Sequence, residues 1–202
     1  MGADLIEIRL DYLNKIEEIQ KIVKSTSLPL IATNRQYKQG GRRLQNEERR
    51  IQALLDAANL DFQYIDIEST TVSLNSVVRE LKEKGTSIII SFHDFKRTPK
   101  TSHLEKIIHS QIEAGADICK LVTTANTVND NISCLLLTSK LSKVTKMVCF
   151  AMGEIGLLSR VLSPVFGASF TYASVKKGLE TALGQPTIFE LKEIFAHLGV
   201  EN

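Results

Sequence analysis

The sequence predicts an α/β protein of the (β/α)8 TIM-barrel class, one β/α unit short at its start. Three observations carry this: seven short β-rich runs, amphipathic helical stretches between them, and ionisable residues at five consecutive strand ends. Strands covered on both faces read as near-continuous apolar runs, and parallel strands need helical crossovers. Barrel enzymes carry their chemistry at the C-terminal ends of those strands.

Leu5 to Asp11 is the first run, and its alternation sends Glu7, Arg9 and Asp11 to one side and Ile6, Ile8 and Leu10 to the other. On spacing alone these charges read either as a substrate-facing set or as an ion-pair ladder inside the barrel. Leu30 to Arg35 is the second run and ends on Arg35. Phe62 to Glu68 is the third, with Asp66 and Glu68 at its end. Ser87 to Phe92 is the fourth, followed by His93. Asp117 to Val122 is the fifth and contains Lys120. Lys146 to Met152 and Ser169 to Ala173 complete the seven. Helices are predicted at Glu47 to Ala58, Val72 to Lys84, Leu104 to Ala114 and Ile132 to Leu141 from their 3.6-residue apolar period. The mixed run Gly41-Arg42-Arg43 and Glu47-Glu48-Arg49-Arg50 predicts a solvated helix face.

With 202 residues, the chain reads as a single catalytic barrel domain over residues 1–202. Its 25 basic and 23 acidic residues balance to a net charge of +2, which argues against nucleic acid or an anionic membrane and for a small-molecule ligand. Three cysteines cannot all pair, and Cys119 and Cys149 sit in apolar runs as packed free thiols. No secretory signal or membrane-spanning run is legible, so a cytoplasmic location is expected. The four histidines lack metal-ligand spacing and the cysteines form no CxxC pair, so no metal signature is visible, and Gly40-Gly41 is too short for a dinucleotide fingerprint or a phosphate-binding loop.

Lys120 is the central feature. An ammonium in the run Ile118-Cys119-Lys120-Leu121-Val122 is costly to bury, and a desolvated lysine loses proton affinity and becomes a nucleophile. The competing explanation is a stem packed in the wall with its head reaching water. His93, one β/α unit earlier, suits proton transfer near neutrality, against the alternative of a hydrogen-bonded core histidine. His103, His109 and His197 fall on helical patterns and read as surface residues.

Taken together, the pieces resemble the type I 3-dehydroquinate dehydratases. The resemblance rests on Glu7-Ile8-Arg9-Leu10-Asp11, Thr33-Asn34-Arg35, Asp66-Ile67-Glu68 and Ser91-Phe92-His93-Asp94, continuing through Gly115-Ala116-Asp117-Ile118-Cys119-Lys120, Met152 to Arg160 and Gly184-Gln185. It implies that Lys120 forms an imine with the C3 ketone of 3-dehydroquinate and that His93 moves the protons. The iminium then acidifies the C2 hydrogen, and the C1 hydroxyl leaves as water in a syn elimination. The resemblance further implies that Arg160 pairs with the substrate carboxylate. Glu7, Arg9, Arg35, Thr181 and Gln185 would hold ring hydroxyls and carboxylate, with Phe95, Phe150 and Met152 as the apolar wall. It also implies that the reaction needs neither metal nor organic cofactor, and it suggests a homodimer and a mobile loop around Lys176-Lys177-Gly178.

The chain departs from the family pattern at Gln39, where an acid is usual, at Phe92, at Thr181 in place of a serine, and at Leu183 in place of a proline. Two other readings stay open on sequence: a non-catalytic relative that binds a ligand or partner, and a lysine-imine aldolase.

Overall fold

The computed structural model describes residues 2–13 and 17–200. They divide into two compact units. The first is built from Asp4–Phe92 with Ser110–Ile118, the second chiefly from His93–His109 and the chain from Cys119 onward.

The first unit is a parallel sheet backed by helices. Strands β1 (Ile6–Arg9), β2 (Leu30–Thr33), β3 (Tyr64–Glu68) and β4 (Ser87–His93) pair in chain order. Register places Glu7 beside Ile31, Arg9 beside Thr33, Thr33 beside Asp66, and Glu68 beside Ser91. Paired residues in a parallel ladder face the same way, so these groups share one side of the sheet. The opposite side presents Ile8, Leu30, Ala32, Ile65, Ile67, Ile88 and Ile90. These pack with Leu54, Leu55 and Ala58 of helix α2 (Glu47–Ala58) and with Val78 and Leu81 of α3 (Leu74–Glu83). The short helix α1 (Glu17–Val23) contributes Ile19 to the same core. The two-sided alternation expected for the first strand therefore holds for Glu7 and Arg9. Asp11 departs from it: the strand stops at Arg9, and Leu10–Tyr12 forms a 3-10 turn in which Asp11 is buried.

Helix α4 (Thr101–Glu113) leads to strand β5 (Ile118–Thr124) of the second unit. Beside it runs β6 (Met147–Met152), with Lys120 opposite Val148, Val122 opposite Phe150 and Thr124 opposite Met152. Between these strands lies α5 (Val128–Leu141), four residues longer than its apolar period predicts. The extension comes from a capping box in which Thr127 and Asp130 exchange side chain to backbone bonds, satisfying amides that would otherwise be orphaned. Helices α6 (Leu157–Leu162) and α7 (Ile188–Leu198) complete the unit.

Six strands, not the expected seven, are present among the described residues. Ser169 to Ala173 forms none: Ser169 N bonds to Met147 O, the Thr171 hydroxyl turns to the Arg160 carbonyl, and the segment's pairing is reduced to an isolated bridge between Ser174 and Thr187. Its β-branched and aromatic residues gave a strand signal because they pack, half-buried, against neighbouring side chains, not because they join a ladder.

Among the described residues, no helix is long and apolar enough to cross a membrane. Cys119, Cys134 and Cys149 are buried free thiols, as the packing reading expected of the first and last.

Candidate active site

Lys120 occupies the middle of β5 and is only 4% exposed. Strand register fixes what it faces: Lys120, Val122, Val148, Phe150 and Met152 lie on one side of the β5–β6 pair. The Asp94 amide donates to Val122 O, which in a parallel ladder sets His93 beside Val122. The imidazole therefore projects from the same face as Lys120, about 7 Å further along the strand direction. Phe95 stacks on His93 with ring centroids 6.0 Å apart, and it is half exposed.

The lysine nitrogen has a partner that the sequence did not reveal. Nζ donates to the Tyr172 hydroxyl at 2.9 Å and lies 4.2 Å from the centre of that ring. Tyr172 belongs to the segment misread as a seventh strand, so its aromatic character passed for strand propensity.

Arg160, in α6, is 2% exposed, and its guanidinium carbon stands 4.2 Å over the Phe150 ring. The backbone holding it is tightly determined. Asn131 donates to Ile155 O and accepts from Ser159 N, while the Ser159 hydroxyl accepts the Ala151 amide. A side chain at Gly156 would collide with the Ala151 and Met152 carbonyls, so only glycine lets α6 start this close to β6. Among the described residues, Nε and Nη2 of Arg160 are buried with no hydrogen-bond partner. Burial pushes this guanidinium down to about 10, partly offset by Tyr172. A buried cation with two unused donors and an aromatic floor is suited to take a carboxylate.

Thr181 and Gln185 are brought together: the Thr181 amide and hydroxyl both donate to Gln185 Oε1, at 2.9 and 3.3 Å. Gly184, at φ +70°, presses against the Gly153 carbonyl at the end of β6, and Gly153 N bonds to Leu183 O. The loop is thus anchored despite lacking the expected proline at Leu183.

In the first unit, Glu7, Arg9 and Arg35 have protein partners. Glu7 accepts from Thr33 at 2.8 Å, and Arg9 binds Asp11 through two bonds of 2.8 and 2.6 Å. Burial would push the Asp11 carboxyl up, but Arg9 and the Arg42 and Arg35 amides hold it below its ordinary value. Arg35 pairs with Asp66 at 2.8 Å and Glu68 at 3.1 Å, and donates to Ser91 at 2.7 Å. Burial opposes its charge, yet the two carboxylates raise its proton affinity.

Arg50 extends this cluster and corrects the sequence reading, which put it on a solvated face. It is 2% exposed, binding Glu68 at 2.6 Å, Glu47 at 2.9 Å and the Asn34 carbonyl at 3.0 Å. Its bond to Glu47 holds that carboxyl below the usual range. Truncation of one member of a buried ionic set leaves the rest uncompensated. Arg50→Ala is therefore expected to cost about 3 kcal/mol or more, read as a lower denaturation midpoint in urea at unchanged slope.

Gln39 donates to the Thr70 hydroxyl at 2.6 Å, while its carbonyl oxygen is buried without a partner among the described residues. His103, His109 and His197 are exposed, as their helical positions implied.

The sequence matches the family described as type I 3-dehydroquinase over residues 1–202. The chain belongs to that family. A 3-dehydroquinate dehydratase of Dehalococcoides mccartyi is 37% identical over 201 residues, spanning 100% of this chain and 89% of that protein. The enzyme of the same name from Desulfotalea psychrophila is 39% identical over 198 residues, spanning 96% and 87%. Among solved structures, the type I 3-dehydroquinate dehydratase of Clostridium difficile, crystallised with covalently modified comenic acid, superposes with a TM-score of 0.89 at 25% identity, covering 98% of this chain and 83% of that one. The barrel class read from the sequence is thus the fold of the type I 3-dehydroquinase family.

Proposed function

We propose that this member of the type I 3-dehydroquinase family dehydrates 3-dehydroquinate to 3-dehydroshikimate in the shikimate pathway, as a hydro-lyase working through a lysine imine. The observation that carries the reading is Lys120, buried on a strand face it shares with His93, Phe150 and Met152. Arg160, with two unused donors over the Phe150 ring, supports it by offering a site for the substrate carboxylate.

Lys120 attacks the C3 ketone, and loss of water gives the iminium. That cation is the electron sink: it lets C2 lose a proton while the C1 hydroxyl departs, and hydrolysis frees the product and the amine. His93 receives the C2 proton and returns one to the departing hydroxyl. Phe150 and Met152 keep the imine dry, Phe95 flanks the imidazole, and the Thr181–Gln185 pair presents polar groups to the ring hydroxyls. By resemblance, Glu7, Arg9 and Arg35 serve as further substrate contacts. The balanced net charge and the family resemblance support work in the cytoplasm, as a homodimer and without nucleic acid.

Reductive trapping tests the reading. Borohydride added with 3-dehydroquinate is expected to leave a reduced adduct on the peptide containing Lys120, detected by mass. Folded protein with no adduct would replace the lyase with a binding function; an adduct on another lysine would move the site.

A further inference from the structure

Tyr172 is placed to take part in the chemistry. Its hydroxyl oxygen is 2.9 Å from Lys120 Nζ, within proton-transfer distance of the atom that forms the imine. Its ring is held by two neighbours, Phe150 at 6.3 Å and 58° and Phe170 at 5.5 Å and 65° between planes. Its backbone neighbour Thr171 is tied to the Arg160 carbonyl at 2.7 Å. The phenol is therefore held beside the amine by packing on both sides. A phenolic oxygen accepts and donates through the same atom, unlike the phenylalanine and methionine that complete this wall.

We propose that Tyr172 is a further catalytic residue, whose hydroxyl relays a proton from the Lys120 nitrogen to the substrate carbonyl oxygen as the carbinolamine forms. The inference rests on the lysine-imine reading above. In the step, the nitrogen lone pair bonds to the carbonyl carbon and the carbon–oxygen π bond breaks toward oxygen. One N–H proton passes to the phenol oxygen while the phenol's own proton passes to the new alkoxide. Nitrogen loses one proton, oxygen gains one, and Tyr172 ends neutral as it began. No net charge develops in the apolar wall, which is the advantage of a relay over a charged base in such surroundings. His93 is left to the C2 proton and the departing C1 hydroxyl.

Tyr172→Phe keeps the ring and removes only the hydroxyl. With 3-dehydroquinate and a borohydride quench at successive times, the variant is expected to form the Lys120 adduct about 10²-fold more slowly than the parent protein. Its affinity for quinate, which has the hydroxyls and carboxylate but no ketone, is expected to be unchanged. Incorporating 3-fluorotyrosine at position 172 should restore most of the rate, because it restores the relay oxygen. A variant that forms the adduct at the parent rate would overturn the proposal. So would a loss of quinate affinity in step with the rate, which would make the hydroxyl a structural group. If the parent protein itself forms no adduct on Lys120, the lysine-imine reading fails and this inference fails with it.

Discussion

Lys120→Met is expected to lower turnover of 3-dehydroquinate by roughly 10⁴-fold or more, the scale of loss when a covalent nucleophile is removed. Methionine nearly matches lysine in length and keeps the strand's packing, so the comparison isolates the amine. The lysine is 4% exposed on a face shared with Phe150 and Met152, and an apolar thioether suits that wall better than a cation does. The melting temperature of the variant is therefore expected to equal or exceed that of the parent. Loss of activity with retained melting behaviour would assign the amine to chemistry. Substantial turnover in the variant would remove the imine from the mechanism, whatever the family.

Arg160→Met is expected to move binding and stability in opposite directions. The guanidinium is buried, and two of its donors are without partners among the described residues. An unsatisfied buried donor costs about 1–3 kcal/mol, more when charged, so replacement by an apolar side chain of similar reach should raise stability by an amount of that order. The same change removes the cation proposed for the carboxylate, and KM is expected to rise by about 10²-fold with a smaller fall in kcat. The pH dependence carries the same sign. Burial lowers this group from its ordinary value to about 10, so between those two values the unfolded chain binds more protons than the folded one. Stability attributable to Arg160 therefore rises with pH through that window, and its cost is present in full at neutral pH. Denaturant midpoints of parent and variant at pH 7 check the prediction. A less stable variant would mean that the guanidinium has a structural partner.

Most of the fold was legible because the sheet signals repeat. The period-two pattern at Glu7 and Arg9 and the apolar runs through Ile65, Ile88 and Cys149 give strands, and α2 begins and ends where its pattern predicts. The end of the chain was less legible. Phe170, Thr171 and Tyr172 have strand-like composition, yet they serve as packing and hydrogen-bond partners for Phe150, Arg160 and Lys120. Composition reports packing, and it cannot separate a ladder from an irregular segment whose side chains pack inward. Arg50 was misread for a related reason. It sits in a run of mixed charges, and no local pattern says that one member of the run turns inward to Glu68 across 18 residues of sequence. Lys120, by contrast, was conspicuous because a charge within an apolar strand contradicts its surroundings.

The cluster around Arg35 and Arg50 also divides the electrostatics of the molecule into two populations. Exposed pairs such as Lys82–Asp117 and Lys140–Glu105 stand in water, where dissolved ions screen them within about 10 Å at 0.1 M salt. The two guanidiniums and the Asp66 and Glu68 carboxylates lie beyond the reach of those ions. Brine can weaken the outer pairs while the inner set holds the ends of β2 and β3 in place, so the geometry of this part of the sheet is indifferent to the ionic strength around it.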